Sequence, residues 1–404
     1  MITSHTIIMD KLQQETELNL TKTQLQTIIN THIQSDNGLN DVFNMVINGL
    51  MLAERQSFLT DPENSTNKGN GYRFAKKSGI GSKLQLKIPR DRLGVFQPVI
   101  LGLLNEQEET IKNLCFELYG KGLTTREIEG VIDSVYDKSG YTKSSISRIT
   151  TDFAGLINSW LSRSLDSYYP VIYIDAIHQK VRRDVVSTEA FYVILGLKDD
   201  FTREVLGIIN IPQESASGWE EVLEGIKHRG VDRVGLFVFD GLTGLENVVG
   251  KVYSDSMKQN CTIHFQRNLS KNVRSADKEA FCQELKDVFN PDDVFYTPDQ
   301  AVENLKGMLT KWSVKYPKFK SIIKRDDLEN TFTYLNFDYR VRRMIYTTNW
   351  IERLNKSFRR TLKMRNALPN AESAITLMGY VAMEMTENTY SYPIASFKFD
   401  TNFN

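Results

Sequence analysis

Residues 170–177 read PVIYIDAI, an apolar run broken by a single acid, Asp175. Length and β-branched content suit a strand buried on both faces. A carboxylate in such a strand costs roughly several kcal/mol unless a cation or hydrogen-bond donors meet it. Asp175 therefore marks a place where the fold is expected to do chemistry.

Two more apolar runs follow, FYVILGL at 191–197 and EVLGIINI at 204–211, joined by short polar turns as in an antiparallel meander. A helix is expected over 218–228, then a strand VGLFVF at 234–239 that closes on Asp240, a helix over 245–253 and a strand around 261–265. Three antiparallel strands followed by alternating helix and strand is the order of a ribonuclease-H-like α/β core. In that order the first and fourth strands are neighbours, which would set Asp175 beside Asp240. Residues 166–270 are expected to form the first part of this core. Residues 271–340 read as an all-helical insertion, residues 341–386 as core helices bearing a third acid, and residues 387–404 as a C-terminal tail.

The third acid is Glu352, in YTTNWIERLNKSFRR at 346–360. Ile351, Leu354, Phe358 and Leu362 form the apolar face of a helix, while Glu352 shares an adjacent stripe with Lys356, Arg359 and Lys363. Two readings stand side by side. Asn349 and Glu352 have the spacing of an N-cap and its N3 acid; equally, an acid at the head of a basic stripe suits a metal ligand with DNA phosphates running past it. Three carboxylates on separate rigid elements are what a pair of Mg2+ ions requires, with Mn2+ as a substitute, because these ions take hard oxygen ligands. Asp240 precedes Gly241, and Asp-Gly is also an ordinary turn dipeptide. Cys261-x-x-His264 lacks a second Cys/His pair to complete a structural zinc site, so these two residues are expected to support the active site.

Upstream of the core the pattern is mainly helical and locally basic. Residues 1–60 read as polar helices with apolar spacing in LQTIINTHI and DVFNMVINGLML, suited to packing on themselves or on a second copy. A polar break, TDPENSTNKGNG, opens a basic, strand-containing segment at 61–104, where KLQLKI alternates apolar and basic residues. Residues 105–165 give a helix, a glycine turn, a second helix and a third helix starting near Thr142, the pattern of a helix-turn-helix, with a plain three-helix unit as the alternative. Lys143, Ser145, Ser147 and Arg148 lie on the outer face of the third helix.

The 404-residue chain has a formal net charge of zero, so its overall charge does not point to nucleic acid. Its basic residues are nevertheless clustered. Residues 68–92 hold eight Lys or Arg against one acid, including Arg73, Lys76, Lys77, Lys87, Arg90 and Arg92, and residues 340–365 hold nine against one. Such patches suit a phosphate backbone, although a solvated charged face has the same composition. Three cysteines do not suggest a disulfide framework, and neither a signal-peptide pattern nor a run of ~20 apolar residues occurs, so a cytoplasmic protein without a membrane partner is expected.

Taken in order, YIDAIHQKVR, VFDGLTGLENVV, CTIHFQRNLSKNV and YTTNWIERLNKSFRRTLKMRNALPNAESAI resemble the signature blocks of Mutator-type transposases of bacterial insertion sequences, a DDE transposase family. GYRFAKKSGIGSKLQLKIPRDRLGVFQP and ELYGKGLTTREIEGVI resemble its N-terminal half, so the likeness spans most of the chain. Asn260 and Thr262 vary around the cysteine, and the tail after Glu387 has no counterpart. By position, the resemblance implies that Asp175, Asp240 and Glu352 are the catalytic, metal-binding triad, that Cys261 and His264 fill the family's C-x-x-H signature, and that Trp312 matches a tryptophan of the insertion. It implies metal-dependent cleavage and strand transfer at terminal inverted repeats, with double-stranded DNA as partner, in a nucleoid-associated bacterial setting. Holding two element ends together calls for a homodimer or larger assembly. A catalytically silent, transposase-derived DNA-binding regulator and a ribonuclease-H-like nuclease remain the alternatives.

Overall fold

The computed structural model describes residues 21–23, 26, 38–79, 82–136, 141–182, 185–211, 216–242, 244–365 and 367–399. Of the stretch LQTIINTHI only Gln26 is among them, and residues 137–140 and the last five residues of the tail lie outside. The chain divides into two compact units, one of residues 1–115 and 126–147, the other of residues 116–125 and 148–404.

In the first unit, helix α1 (Gly38–Thr60) packs on a hairpin of β1 (Gly69–Gly79) and β2 (Ser82–Asp91). Leu84, Leu86 and Ile88 point inward to Ile47 and Met51, while Gln85 and Lys87 are exposed, as the alternation in KLQLKI requires. β1 was not evident from its own sequence. Its paired residues are Ala75 opposite Leu86 and Phe74 opposite Lys87, so its apolar content is split between a half-buried alanine and an exposed phenylalanine. Asn44 and Asn48 of α1 accept from the Gln85 and Lys87 N–H groups, satisfying backbone donors on β2 with side chains. The region expected to form three helices holds α2 (Val99–Gly120), α3 (Thr125–Tyr136) and α4 (Lys143–Leu161), of which the first unit takes residues 99–115, 126–136 and 143–147 and the second unit the rest. Gly122, at φ +103°, turns the chain after α2, and the Leu123 N–H reaches back to the Leu118 carbonyl.

The second unit is built on a five-stranded sheet in the order β5-β4-β3-β6-β7. β3 (Tyr168–Arg182), β4 (Val186–Leu197) and β5 (Arg203–Asn210) are antiparallel; β6 (Arg233–Phe239) runs parallel to β3, and β7 (Met257–Asn260) parallel to β6. Helices cover both faces. Ile172, Ile174, Phe237 and Phe239 pack with α5 (Ala216–His228) and α6 (Leu245–Val252), whereas Val171, Tyr173, Ile177 and Val238 face a larger core of helices from the C-terminal half. That half contains α7 (Thr262–Ser270), α8 (Ser275–Val288), α9 (Pro298–Ser313), α10 (Phe319–Ile323), α11 (Tyr339–Ile345), α12 (Asn349–Leu362) and α13 (Ala371–Asn388).

The strand expected at 261–265 is instead the start of α7, and the sheet takes residues 257–260. The Cys261 N–H still bonds the Phe239 carbonyl, after which the chain turns into the helix. β7 reads MKQN, too polar to signal a buried strand. It is tolerated because the fully buried Gln259 amide donates to the Thr331 carbonyl and accepts from the Tyr334 N–H.

Candidate active site

Strand parity places the first acid. Asp175 alternates in step with Tyr173 and Ile177, so it lies on the sheet face covered by the C-terminal helices, and it is 6% exposed. In the parallel pair, Ile174 stands opposite Phe239. The next residues along the two strands are Asp175 and Asp240, which therefore emerge side by side at the C-terminal end of β6, as the expected strand order required.

Helix α12 brings the third acid and an unexpected amide. Ile351, Leu354, Phe358 and Leu362 are buried, fixing the helix on the core, and Asn355 is buried with them at 1% exposure. Asn355 Nδ2 donates to Asp175 Oδ2 at 3.1 Å. Glu352, three residues earlier and thus close in azimuth, faces the acids from the first turn. The capping reading of Glu352 is not realised: Thr348 is the N-cap and its side chain makes no cap hydrogen bond. The Thr348 N–H and hydroxyl both turn to the buried Cys261 sulfur, each at 3.5 Å, while Thr347 Oγ1 accepts from the Asn349 N–H. Cys261 thus joins the start of α7 to the start of α12.

His264 stands among the carboxylates. Its Nδ1 is 3.5 Å from Asp240 Oδ1 and its Nε2 is 3.9 Å from Glu352 Oε1. One ligand atom from each of Asp175, Asp240 and His264 lies within 4.8 Å of the others. One turn further along α7, Arg267 Nη1 is 3.5 Å from Glu352 Oε1.

The electrostatics follow from burial and like charge. Burial raises the Asp175 carboxyl to about 6; His264 opposes the shift, and Asp240 and Glu352 add to it. Burial also raises Asp240, against the pull of His264, Lys271 and Arg267. His264 is lifted to about 9, chiefly by the Cys261 sulfur and against its own burial, with Asp240 and Asp175 contributing. The site is thus an accumulation of negative charge partly balanced by an imidazolium and a guanidinium. Its donors fit divalent cations: Asp240 and Glu352 are each 34% exposed, so their oxygens are accessible, and Asp175 commits one oxygen to Asn355.

The remaining candidate residues are distributed over several surfaces. Lys356, Arg359 and Lys363 form an exposed stripe on α12 beyond Glu352. Lys143, Ser147 and Arg148 are exposed on the first turns of α4, with Ser145 half-buried beside Thr142. On the hairpin, Lys76 and Lys87 share the outer face with Tyr72 and Phe74, and Lys87 lies over the Tyr72 ring at 4.3 Å. Arg73 falls on the opposite face and lines a cleft with Arg90 and Arg92. Lys77 pairs with Glu108 at 2.7 Å, which occupies its charge within the unit. Sequence reasoning missed Asn355 and Arg267. Each had a signal in its spacing, three residues after Glu352 and three after His264, on the same helical faces.

Comparison with known proteins gives a consistent result. The sequence model described as "Transposase, Mutator family" matches residues 13–391. The transposase for insertion sequence element IS905 of Lactococcus lactis is 32% identical over 336 residues, 81% of this chain and 83% of that protein. The transposase for IS1201 of Lactobacillus helveticus is 30% identical, covering 83% and 91%. The transposase for IS256 in transposon Tn4001 of Staphylococcus aureus is 27% identical, covering 92% and 95%.

Proposed function

The chain belongs to the Mutator family of transposases, and we propose that it binds the terminal inverted repeats of its own insertion sequence and cuts and joins DNA at Asp175, Asp240 and Glu352. The observation that carries this reading is the convergence of the three carboxylates from β3, the end of β6 and the first turn of α12 around His264. A sheet of three antiparallel strands extended by parallel β6 and β7 supports a ribonuclease-H-like core, and the helices between Lys271 and Asp338 are read as an insertion that separates the second acid from the third.

Asp175, Asp240 and Glu352 would hold two Mg2+ ions, with Mn2+ as a substitute. Bound there, the ions supply Lewis-acid activation of a water or 3'-hydroxyl and stabilisation of the leaving oxygen in an in-line displacement at phosphorus. The chain's own part is positioning. Asn355 orients Asp175 through one oxygen, the Cys261–Thr348 contacts set α7 against α12, and His264 holds positive charge between Asp240 and Glu352. No protein nucleophile is required.

End recognition is assigned to two regions. Lys143, Ser145, Ser147 and Arg148 at the start of α4 would enter a groove, while Arg73, Lys76, Lys87, Arg90 and Arg92 of the hairpin region, with the α12 stripe, would follow the backbone. Pairing two element ends calls for a homodimer or larger assembly. Among the described residues no helix is long and apolar enough to cross a membrane.

The test is strand cleavage of a duplex carrying the inverted repeats that bracket the reading frame. Cutting and joining are expected with Mg2+ or Mn2+, and loss of both is expected in EDTA and in Asp175→Ala. Cleavage that persists in either condition refutes the assignment.

A further inference from the structure

Helix α7 carries more positive charge toward the acids than the proposed chemistry has used. His264, Arg267 and Lys271 recur at i, i+3 and i+7, one face of the helix and its C-cap. His264 is inserted between the carboxylates, but Arg267 and Lys271 are exposed. Arg267 reaches Glu352 at 3.5 Å with 58% of its side chain open to solvent, and Lys271 donates to Asn268 Oδ1 at 3.2 Å. A pair so exposed is weak and readily exchanged. Both cations act on Asp240 as well, favouring its ionised form.

The arrangement has a chemical use. A DNA strand crossing three carboxylates is repelled by them, and cations bound to the acids offset that repulsion only at the phosphate being cut. The neighbouring phosphate needs a donor beside the acids but outside them. Arg267, 3.5 Å from Glu352 Oε1, is a donor beside the acids, and its planar fork matches two phosphate oxygens. A Glu352 carboxylate committed to a metal ion would have less charge to offer Arg267, and the guanidinium would then be free to take a phosphate.

We propose that Arg267 and Lys271 form a phosphate subsite for the DNA strand next to the scissile position, and that Arg267 rests on Glu352 until metal and DNA arrive. This deepens the transposase reading and rests on it. The surface is distinct from the α12 stripe of Lys356, Arg359 and Lys363, which lies on another helix.

The test measures binding rather than cleavage, with the unaltered full chain and an uncleavable repeat duplex. Affinity for the inverted-repeat duplex is measured against salt concentration in Ca2+ for this parent, for Arg267→Gln, for Lys271→Gln and for the double variant. Each lost phosphate contact is expected to reduce the slope of log K against log salt by about 0.9, and Arg267→Lys to retain the parent slope. A methylphosphonate scan across the cleavage position is expected to locate one phosphate whose neutralisation weakens the parent but not Arg267→Gln. Parent-like slopes in both glutamine variants, or an unchanged methylphosphonate profile, overturn the subsite and leave the transposase reading intact. A parent that binds no repeat duplex overturns both.

Discussion

Replacing Asp175 by Asn should stabilise the metal-free protein, although the same change destroys its proposed activity. Burial raises the Asp175 carboxyl from 3.8 to about 6. A carboxyl whose folded value lies above its unfolded value binds its proton more tightly in the native state. Its stabilising contribution is complete below about pH 4 and is lost as the pH rises through about 6. At pH 7.5 the ionised group therefore costs about 3 kcal/mol, from about two pKa units at 1.36 kcal/mol each. Asparagine removes the charge, keeps the shape and leaves an oxygen to accept from Asn355 Nδ2. All four tryptophans, Trp160, Trp219, Trp312 and Trp350, lie in the unit that holds the acids, so denaturant unfolding followed by tryptophan fluorescence reports on that unit. In EDTA at pH 7.5, Asp175→Asn should be more stable by up to about 3 kcal/mol, and the gain should vanish near pH 4. Added Mn2+ should stabilise the parent and not the variant. No gain at pH 7.5, or a gain that persists at pH 4, would refute the argument from burial.

Glu352→Gln should retain DNA binding and fold stability but lose cleavage, because the structure gives Glu352 no capping role to lose; a gel assay of bound and cut duplex separates the two. Asn355→Ala should destabilise the protein by about 1–3 kcal/mol, the cost of removing one partner from a buried polar pair, measured by the same fluorescence titration. The double variant Lys143→Gln with Arg148→Gln should lower affinity for the repeat duplex and flatten its salt dependence by up to about 1.8 if both residues touch phosphate, and an unchanged slope would remove α4 from the DNA surface.

Much of the second unit was legible because its signals were local. The run around Asp175, the two strands after it and the apolar stripe of α12 each display a period that a few residues define, and the strand order then set Asp175 beside Asp240. What was hidden depended on distant partners. β1 shows no apolar alternation of its own until Ala75 and Phe74 are paired with β2, and β7 is too polar to signal a strand until Thr331 and Tyr334 satisfy Gln259. Asn355 sits on an amphipathic helix where an amide at the boundary is unremarkable; its contact lies 180 residues away, on Asp175. The capping pattern at Asn349 misled for a related reason, since Thr347, Thr348 and Cys261 take the hydrogen bonds that local spacing assigned elsewhere.

The central claim is that Asp175, Asp240 and Glu352 together hold the metal ions that cut DNA. Counting bound Mn2+ by electron paramagnetic resonance, with an uncleavable repeat duplex present, tests it most directly. Two ions per active site are predicted for the parent and fewer for each of Asp175→Asn, Asp240→Asn and Glu352→Gln; equal Mn2+ binding by the parent and all three variants would contradict the account.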